Sequence, residues 1–178
     1  MPIPAPIIVS ALFGTEDHRW LDDQRKAHFP ADRNVLAAHL TLFHHLPPSV
    51  EPELRQRLRE ACRSLAPLAS ITSVMSLGTG TAYRVHSVDL EQMREHLAAA
   101  FEQLLIPQDA ANWRPHVTIQ NKVKPAAARA LRAQIEAGFR PRPVTIAGLA
   151  AWWYRGGPWE PIAAYRFGSG QKMDPPRH

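Results

Sequence analysis

The chain has 178 residues, 45% hydrophobic and 21% charged, a balance that fits one folded domain and excludes wholesale disorder, collagen-like repeats and coiled coils. Twenty-one Lys and Arg against 16 Asp and Glu give a formal charge of +5, which admits a nucleic-acid or phosphorylated partner but equally a solvated basic surface. The longest largely apolar stretch without charge, residues 144–154, is too short for the roughly 20 residues of a membrane-spanning helix, so no membrane partner is expected.

Residues 1–6 are broken by Pro2, Pro4 and Pro6 and lack a basic head, so the apolar run at 7–13, ended by Gly14, reads as a strand and not as a signal-peptide core. Residues 15–28 follow as a helix, with Thr15 as N-cap, Glu16 and Asp17 in the first turn and Phe29-Pro30 as its stop. Over residues 37–46, Leu40, Leu42 and Leu46 alternate with His39, Thr41 and Phe43; a period of two puts the aliphatic side chains on one face of a strand and the others on the opposite face. Pro47-Pro48-Ser49 ends that strand, and Leu54, Leu58, Cys62 and Leu65 mark the apolar stripe of a helix over about 50–64. Cys62, the single cysteine, lies on that stripe as a core residue. It cannot form an internal disulfide, which makes the reducing cytoplasm the expected compartment. Residues 71–77 and 81–87 flank Gly78-Thr79-Gly80 as a hairpin.

The order then recurs. Residues 89–105 read as a helix with Leu90, Met93, Leu97 and Phe101 at helical spacing, ended by Ile106-Pro107. Residues 114–123 form a strand with His116, Thr118 and Gln120 on one face and Val117, Ile119 and Val123 on the other, residues 125–139 a helix, and residues 143–155 and 159–167 a second hairpin around Gly156-Gly157-Pro158. Both halves read helix, polar-faced strand, helix, hairpin. The expected fold is therefore α+β: two pseudo-symmetric lobes, each an antiparallel sheet with helices on its outer face, around a central groove. A single bilobal domain is expected over residues 1–168, with 169–178 as a frayed tail and a monomer as the default state.

The feature above background is the duplicated pair His39-Leu40-Thr41-Leu42 and His116-Val117-Thr118-Ile119. On a strand, residues i and i+2 share a face about 7 Å apart, so each imidazole has a hydroxyl beside it. Histidine serves as acid or base near neutral pH, and cleaving a phosphodiester benefits from one of each on opposite sides of phosphorus. A threonine hydroxyl beside each can donate to a non-bridging oxygen as charge builds there.

These motifs, in their order and spacing, resemble the two-histidine (2H) phosphoesterases, which include the bacterial RNA 2′-5′ ligase-like and RNA 2′,3′-cyclic phosphodiesterase proteins. The resemblance implies a cofactor-independent phosphoesterase with His39 and His116 as the acid–base pair and Thr41 and Thr118 as phosphate ligands. It further implies a substrate among RNA ends or small nucleotides, with a 2′,3′-cyclic phosphate opened to a 2′-phosphate or a 2′-5′ bond joined in reverse. One departure stands out. Where the ligase-like branch has an arginine shortly after the second motif, this chain has Gln120-Asn121-Lys122. The competing class is a non-catalytic RNA- or nucleotide-binding module using the same groove.

Further candidates for substrate binding are Arg84 and Arg114, as phosphate or backbone ligands, and Phe43, Tyr83 and Trp153, as rings on which a base could stack. His44 and His45 are neighbours on a strand and point oppositely, and neither a His-Glu-x-x-His nor a Cys-x-x-Cys spacing occurs, so no metal site is expected. Gly78-Thr79-Gly80 and Gly168-Ser169-Gly170 lack the spacing of a phosphate-binding loop, and a Gly-x-Ser-x-Gly nucleophile elbow is missing.

Overall fold

Apolar runs bounded by glycine and proline become strands, and the 3.6-residue stripes become helices. The computed structural model describes residues 4–178, so the first three residues of the proline-broken start lie outside it. In chain order the elements are β1 (Ile7–Phe13), α1 (Thr15–His28), β2 (Leu40–Leu46), α2 (Glu51–Ala61), β3 (Leu68–Ser76), β4 (Thr81–His86), α3 (Val88–Ala100), α4 (Pro107–Ala110), β5 (His116–Gln120), α5 (Pro125–Gly138), β6 (Arg142–Trp153) and β7 (Glu160–Arg166).

All strand pairs are antiparallel, and the 12-residue β6 is shared between two sheets. Its start, residues 142–145, pairs with β3, while residues 146–153 pair with β1 and residues 148–153 with β7. One sheet therefore runs β2-β1-β6-β7 and the other β6-β3-β4-β5, which gives the expected α+β class. The two motif strands, β2 and β5, are the outer strands and approach each other. The sheets do not follow the sequence halves. The hairpin of the first half, β3–β4, supports the second motif strand, and the hairpin of the second half, β6–β7, supports the first through β1.

The main core lies between the sheets and the helices, with Ile7, Val9, Leu21, Leu40, Leu42, Leu58, Cys62, Leu97, Val117 and Ile119 almost wholly excluded from water. Alternate residues of β1 face the other way, so Ile8 and Leu12 join Trp152 and Trp159 in a smaller cluster. Both faces of β1 are covered, which is why every residue of it is buried.

Several element ends differ from the pattern-based expectation. Gly14, not Thr15, occupies the N-cap of α1. Helix α2 stops at Ala61, so Leu65 leaves the apolar stripe and stands 85% exposed. Helix α3 is capped by the Ser87 hydroxyl, which accepts from Leu90 N–H at 3.1 Å, and ends at Ala100. A separate short helix, α4, then appears where one continuous helix and a loop were expected. Residues 169–178 fold back along β7 instead of fraying: Lys172 bridges Tyr165, Met173 N–H donates to Ala164 O at 3.0 Å, and His178 reaches the groove.

Candidate active site

The site begins with a bulge. Val9 faces Phe43 while its neighbour Ser10 faces Thr41, so β2 takes two steps where β1 takes one. An extra residue in one strand reverses the alternation beyond it. Before the bulge, His39 and Thr41 face the groove and Leu40 and Leu42 the core; after it, Phe43 is fully buried in the core and His44 takes the groove face. Phe43 was expected on the groove face, and this slip is the reason it is not there.

In the other sheet, β4 and β5 pair with Arg84 opposite His116, Tyr83 opposite Val117 and Ala82 opposite Thr118. Opposed residues share a face, so Arg84 lies beside His116 while Tyr83 goes with Val117 into the core. The Tyr83 ring packs between Trp20 and Phe139, and its hydroxyl donates to Gln24 Oε1 at 3.1 Å. It is not a groove residue.

His39, Thr41, His116 and Thr118 line one cavity of about 340 Å³, together with His44, Arg114 and Trp159. Its size falls at the lower end of small-ligand sites. A larger groove of about 880 Å³ between α2 and α3, lined by Leu65, Leu68, Met93 and Leu97 among others, contains neither motif.

The two catalytic candidates are fixed in the same way. His39 Nδ1 lies 2.8 Å from the carbonyl of Ala37, and His116 Nδ1 lies 2.6 Å from the carbonyl of Arg114. A carbonyl only accepts, so each Nδ1 carries its hydrogen and donates it, and Nε2 is the free nitrogen of both rings. Each histidine thus uses its own strand's entry segment, two residues back, to orient its ring.

Charge around the pair is positive. Arg25, buried on α1, donates from Nε to Asn34 Oδ1 at 2.7 Å and from a terminal nitrogen to the Thr118 carbonyl at 3.1 Å, with its guanidinium over the Phe29 ring. His39 is enclosed by Trp159, whose ring centre is 4.5 Å away, and by His178 at 5.9 Å. Burial, with further repulsion from Arg25, His178 and His116, brings its pKa down to about 3 against the pull of the Ala37 carbonyl. Burial also lowers His116, helped by the charges of His44, Arg114 and Arg84.

The remaining expected binders divide. Arg114 lines the cavity, and Arg84 shares the face of His116. Trp153 packs against the main core on the opposite side of β6, and the cavity wall is formed instead by Trp159 with Trp152 behind it. Gln120, at the position after the second motif, is buried with its side chain against Thr81. Pattern reading missed Arg25, Trp159, Arg94 and Asp109. Only Arg94 left a trace, as a charge on the Leu90–Leu97 stripe of α3.

A two-sheet α+β fold with paired His-x-Thr strands meeting over one cavity defines a phosphoesterase of the two-histidine class. The profile of the 2′-5′ RNA ligase superfamily matches residues 13–158, and the chain belongs to that superfamily. Among solved structures, TT0787 of Thermus thermophilus superposes with a TM-score of 0.62 at 15% identity, over 93% of this chain and 100% of that one. E. coli LigT complexed with NADP+ gives 0.61 at 14% identity, over 93% and 99%, and LigT complexed with 3′-AMP gives 0.59 at 14%, over 92% and 98%. At such identities the likeness speaks for the fold. No curated protein sequence matches the chain. Among the described residues no helix is long and apolar enough to cross a membrane.

Proposed function

We propose that the protein is a metal-independent phosphoesterase that opens 2′,3′-cyclic phosphates of RNA ends or small nucleotides to 2′-phosphates, and that it joins 2′-5′ bonds when a 5′-hydroxyl takes the place of water. The observation that carries this reading is the matched anchoring of His39 and His116, each presenting Nε2 with a threonine hydroxyl alongside in one cavity. A nucleotide as ligand is supported by the related E. coli LigT structures, which are complexes with NADP+, 3′-AMP and ATP.

His39, held neutral by its enclosure, takes a proton from the attacking water while the water oxygen bonds to phosphorus and the bond to the 3′ oxygen breaks. His116, protonated once the substrate's negative charge offsets its neighbouring cations, gives its proton to the leaving 3′ oxygen. Thr41 and Thr118 donate to the two non-bridging oxygens as charge accumulates on them. These four side chains supply base, acid and oxyanion donors, so the scheme requires no Lewis acid. Arg84 and Arg114 stand next to His116 as ligands for the substrate's backbone.

The test is turnover of a ribonucleoside 2′,3′-cyclic phosphate with and without chelator. His39→Ala and His116→Ala are each expected to lose about 100-fold or more, and Thr41→Ala and Thr118→Ala about 10-fold to 100-fold. Unchanged turnover in His39→Ala refutes the scheme. Salt-sensitive RNA binding by the unmodified protein with no turnover of any phosphodiester returns the non-catalytic module.

A further inference from the structure

The bulge in β2 places a third imidazole, His44, in the cavity, three residues beyond Thr41. It is held with unusual thoroughness. Asp109 on α4 is 1% exposed and accepts from the backbone N–H of His44 (2.9 Å to each oxygen), the backbone N–H of His45 (3.0 Å) and the His44 ring Nδ1 (2.9 Å). Burial raises the Asp109 pKa, but these hydrogen bonds outweigh it and hold the carboxyl below its ordinary value. A carboxylate only accepts, so His44 donates its Nδ1–H to Asp109 and presents Nε2 to the cavity, where the Nε2–H of the protonated ring is the donor an anion would use.

Behind the pair, Arg94 is buried and donates from Nε to the Leu42 carbonyl at 2.8 Å and from a terminal nitrogen to the Asp109 carbonyl at 2.7 Å, with its guanidinium over the Phe43 and Trp113 rings. Burying two ions is costly unless both are fully bonded. Here the bonds they make lock α4 to the bulge and orient one imidazole.

That imidazole has no task at the reacting phosphorus. The two threonines take the non-bridging oxygens and the two histidines the entering and leaving oxygens; the one oxygen left on phosphorus is the 2′ ester oxygen, whose bond is kept and which exchanges no proton. His44 instead lines the cavity together with Arg114, Gln108 and Asn112, and both His44 and Arg114 lie close enough to His116 for their charges to act on it. Arg114 brings a positive charge to this part of the cavity, next to the reaction centre.

We propose that His44, oriented by Asp109, binds a second phosphate of the substrate together with Arg114, so that the preferred substrate carries another phosphate close to the cyclic one. Such a phosphate comes either from a nucleotide that is also 5′-phosphorylated or from the neighbouring link of an oligonucleotide. The proposal deepens the phosphoesterase reading and rests on it for the kinetic measurement but not for binding.

The experiment is calorimetric titration of the full chain with adenosine 2′,5′-bisphosphate and with adenosine 2′-monophosphate. One charge-assisted contact predicts that the bisphosphate binds about 10-fold more tightly or better, and that His44→Ala brings the ratio of the two affinities close to 1. Arg114→Ala, whose exposed side chain supports no core contact, should lower the same ratio. Equal affinities in the unmodified protein, or a ratio that survives His44→Ala, overturn the proposal. The kinetic arm compares kcat/KM for adenosine 2′,3′-cyclic phosphate, its 5′-phosphorylated form and a dinucleotide with a cyclic end. A preference for either phosphate-bearing substrate that disappears in His44→Ala supports the proposal and names the source of the phosphate; no preference for either overturns it. Retained bisphosphate binding with no turnover of any cyclic phosphate sinks the phosphoesterase reading and leaves the anion site standing.

Discussion

The enclosure of His39 has a thermodynamic consequence that can be measured without a substrate. In the unfolded chain this imidazole titrates near 6.5, and in the folded protein burial under Trp159 and His178, with Arg25 and His116 nearby, holds it at about 3. Between those values the unfolded state binds a proton that the folded state refuses, so stability falls as the pH drops through this window and is level above it. From pH 7 to pH 4.5 the loss from this one group is about 2.5 kcal/mol. His116 and His178 are lowered by burial as well and add losses of the same sign. The buried Asp109 and the partly buried Asp22 are also lowered, but as carboxylates they cost stability only below about pH 4. Urea unfolding at pH 7, 5.5 and 4.5, for the unmodified protein and for His39→Gln, isolates the His39 contribution as the difference in slope. A proton NMR titration of the His39 ring reads the same quantity directly. A His39 resonance that titrates near pH 6.5, or equal pH slopes for the two proteins, would refute the reasoning.

Removing residues 174–178 takes away His178, whose Nδ1 is buried without a hydrogen-bond partner among the described residues, and opens one wall beside His39. Because burial is the largest cause of the low value, the His39 titration midpoint should rise toward 6.5, and an unchanged midpoint in the NMR titration would show that the tail does not enclose the ring. A methyl group added at Gly80 would run into the backbone carbonyl of Gln120 and come within 2.7 Å of Asn121 Cα. Gly80→Ala should therefore destabilise the fold by about 2–4 kcal/mol through displacement of β5, and a change below about 0.5 kcal/mol in urea unfolding would contradict that close approach.

The placement of the two His-x-Thr pairs was legible because it is written in period two. His39 with Thr41 and His116 with Thr118 each need only strand geometry to share a face, and strand geometry follows from the flanking aliphatic residues. The same local rule assigns Leu40, Leu42, Val117 and Ile119 to the core, where they are found. It fails at Phe43 because one inserted step in the pairing with β1 reverses the face, and no residue in β2 signals that step by itself. It leaves Tyr83 open until its neighbour is known. Opposed to Val117 on β5, the ring has to enter the core.

What the sequence determined by itself was the set of strands and the main helices, the duplicated motif and, through them, the two-histidine family. What the tertiary structure decided was everything that depends on which strand pairs with which: the hairpins supporting the opposite half's motif strand, Trp159 in place of Trp153 at the cavity wall, and Asp109 brought to His44 from 65 positions away in the chain. Periodicity is a property of one segment and survives in the sequence of that segment. Pairing register and the partner of a buried charge are set by whichever distant surfaces bury the most apolar area while leaving the fewest polar groups unbonded, and that competition is settled only when the whole chain packs.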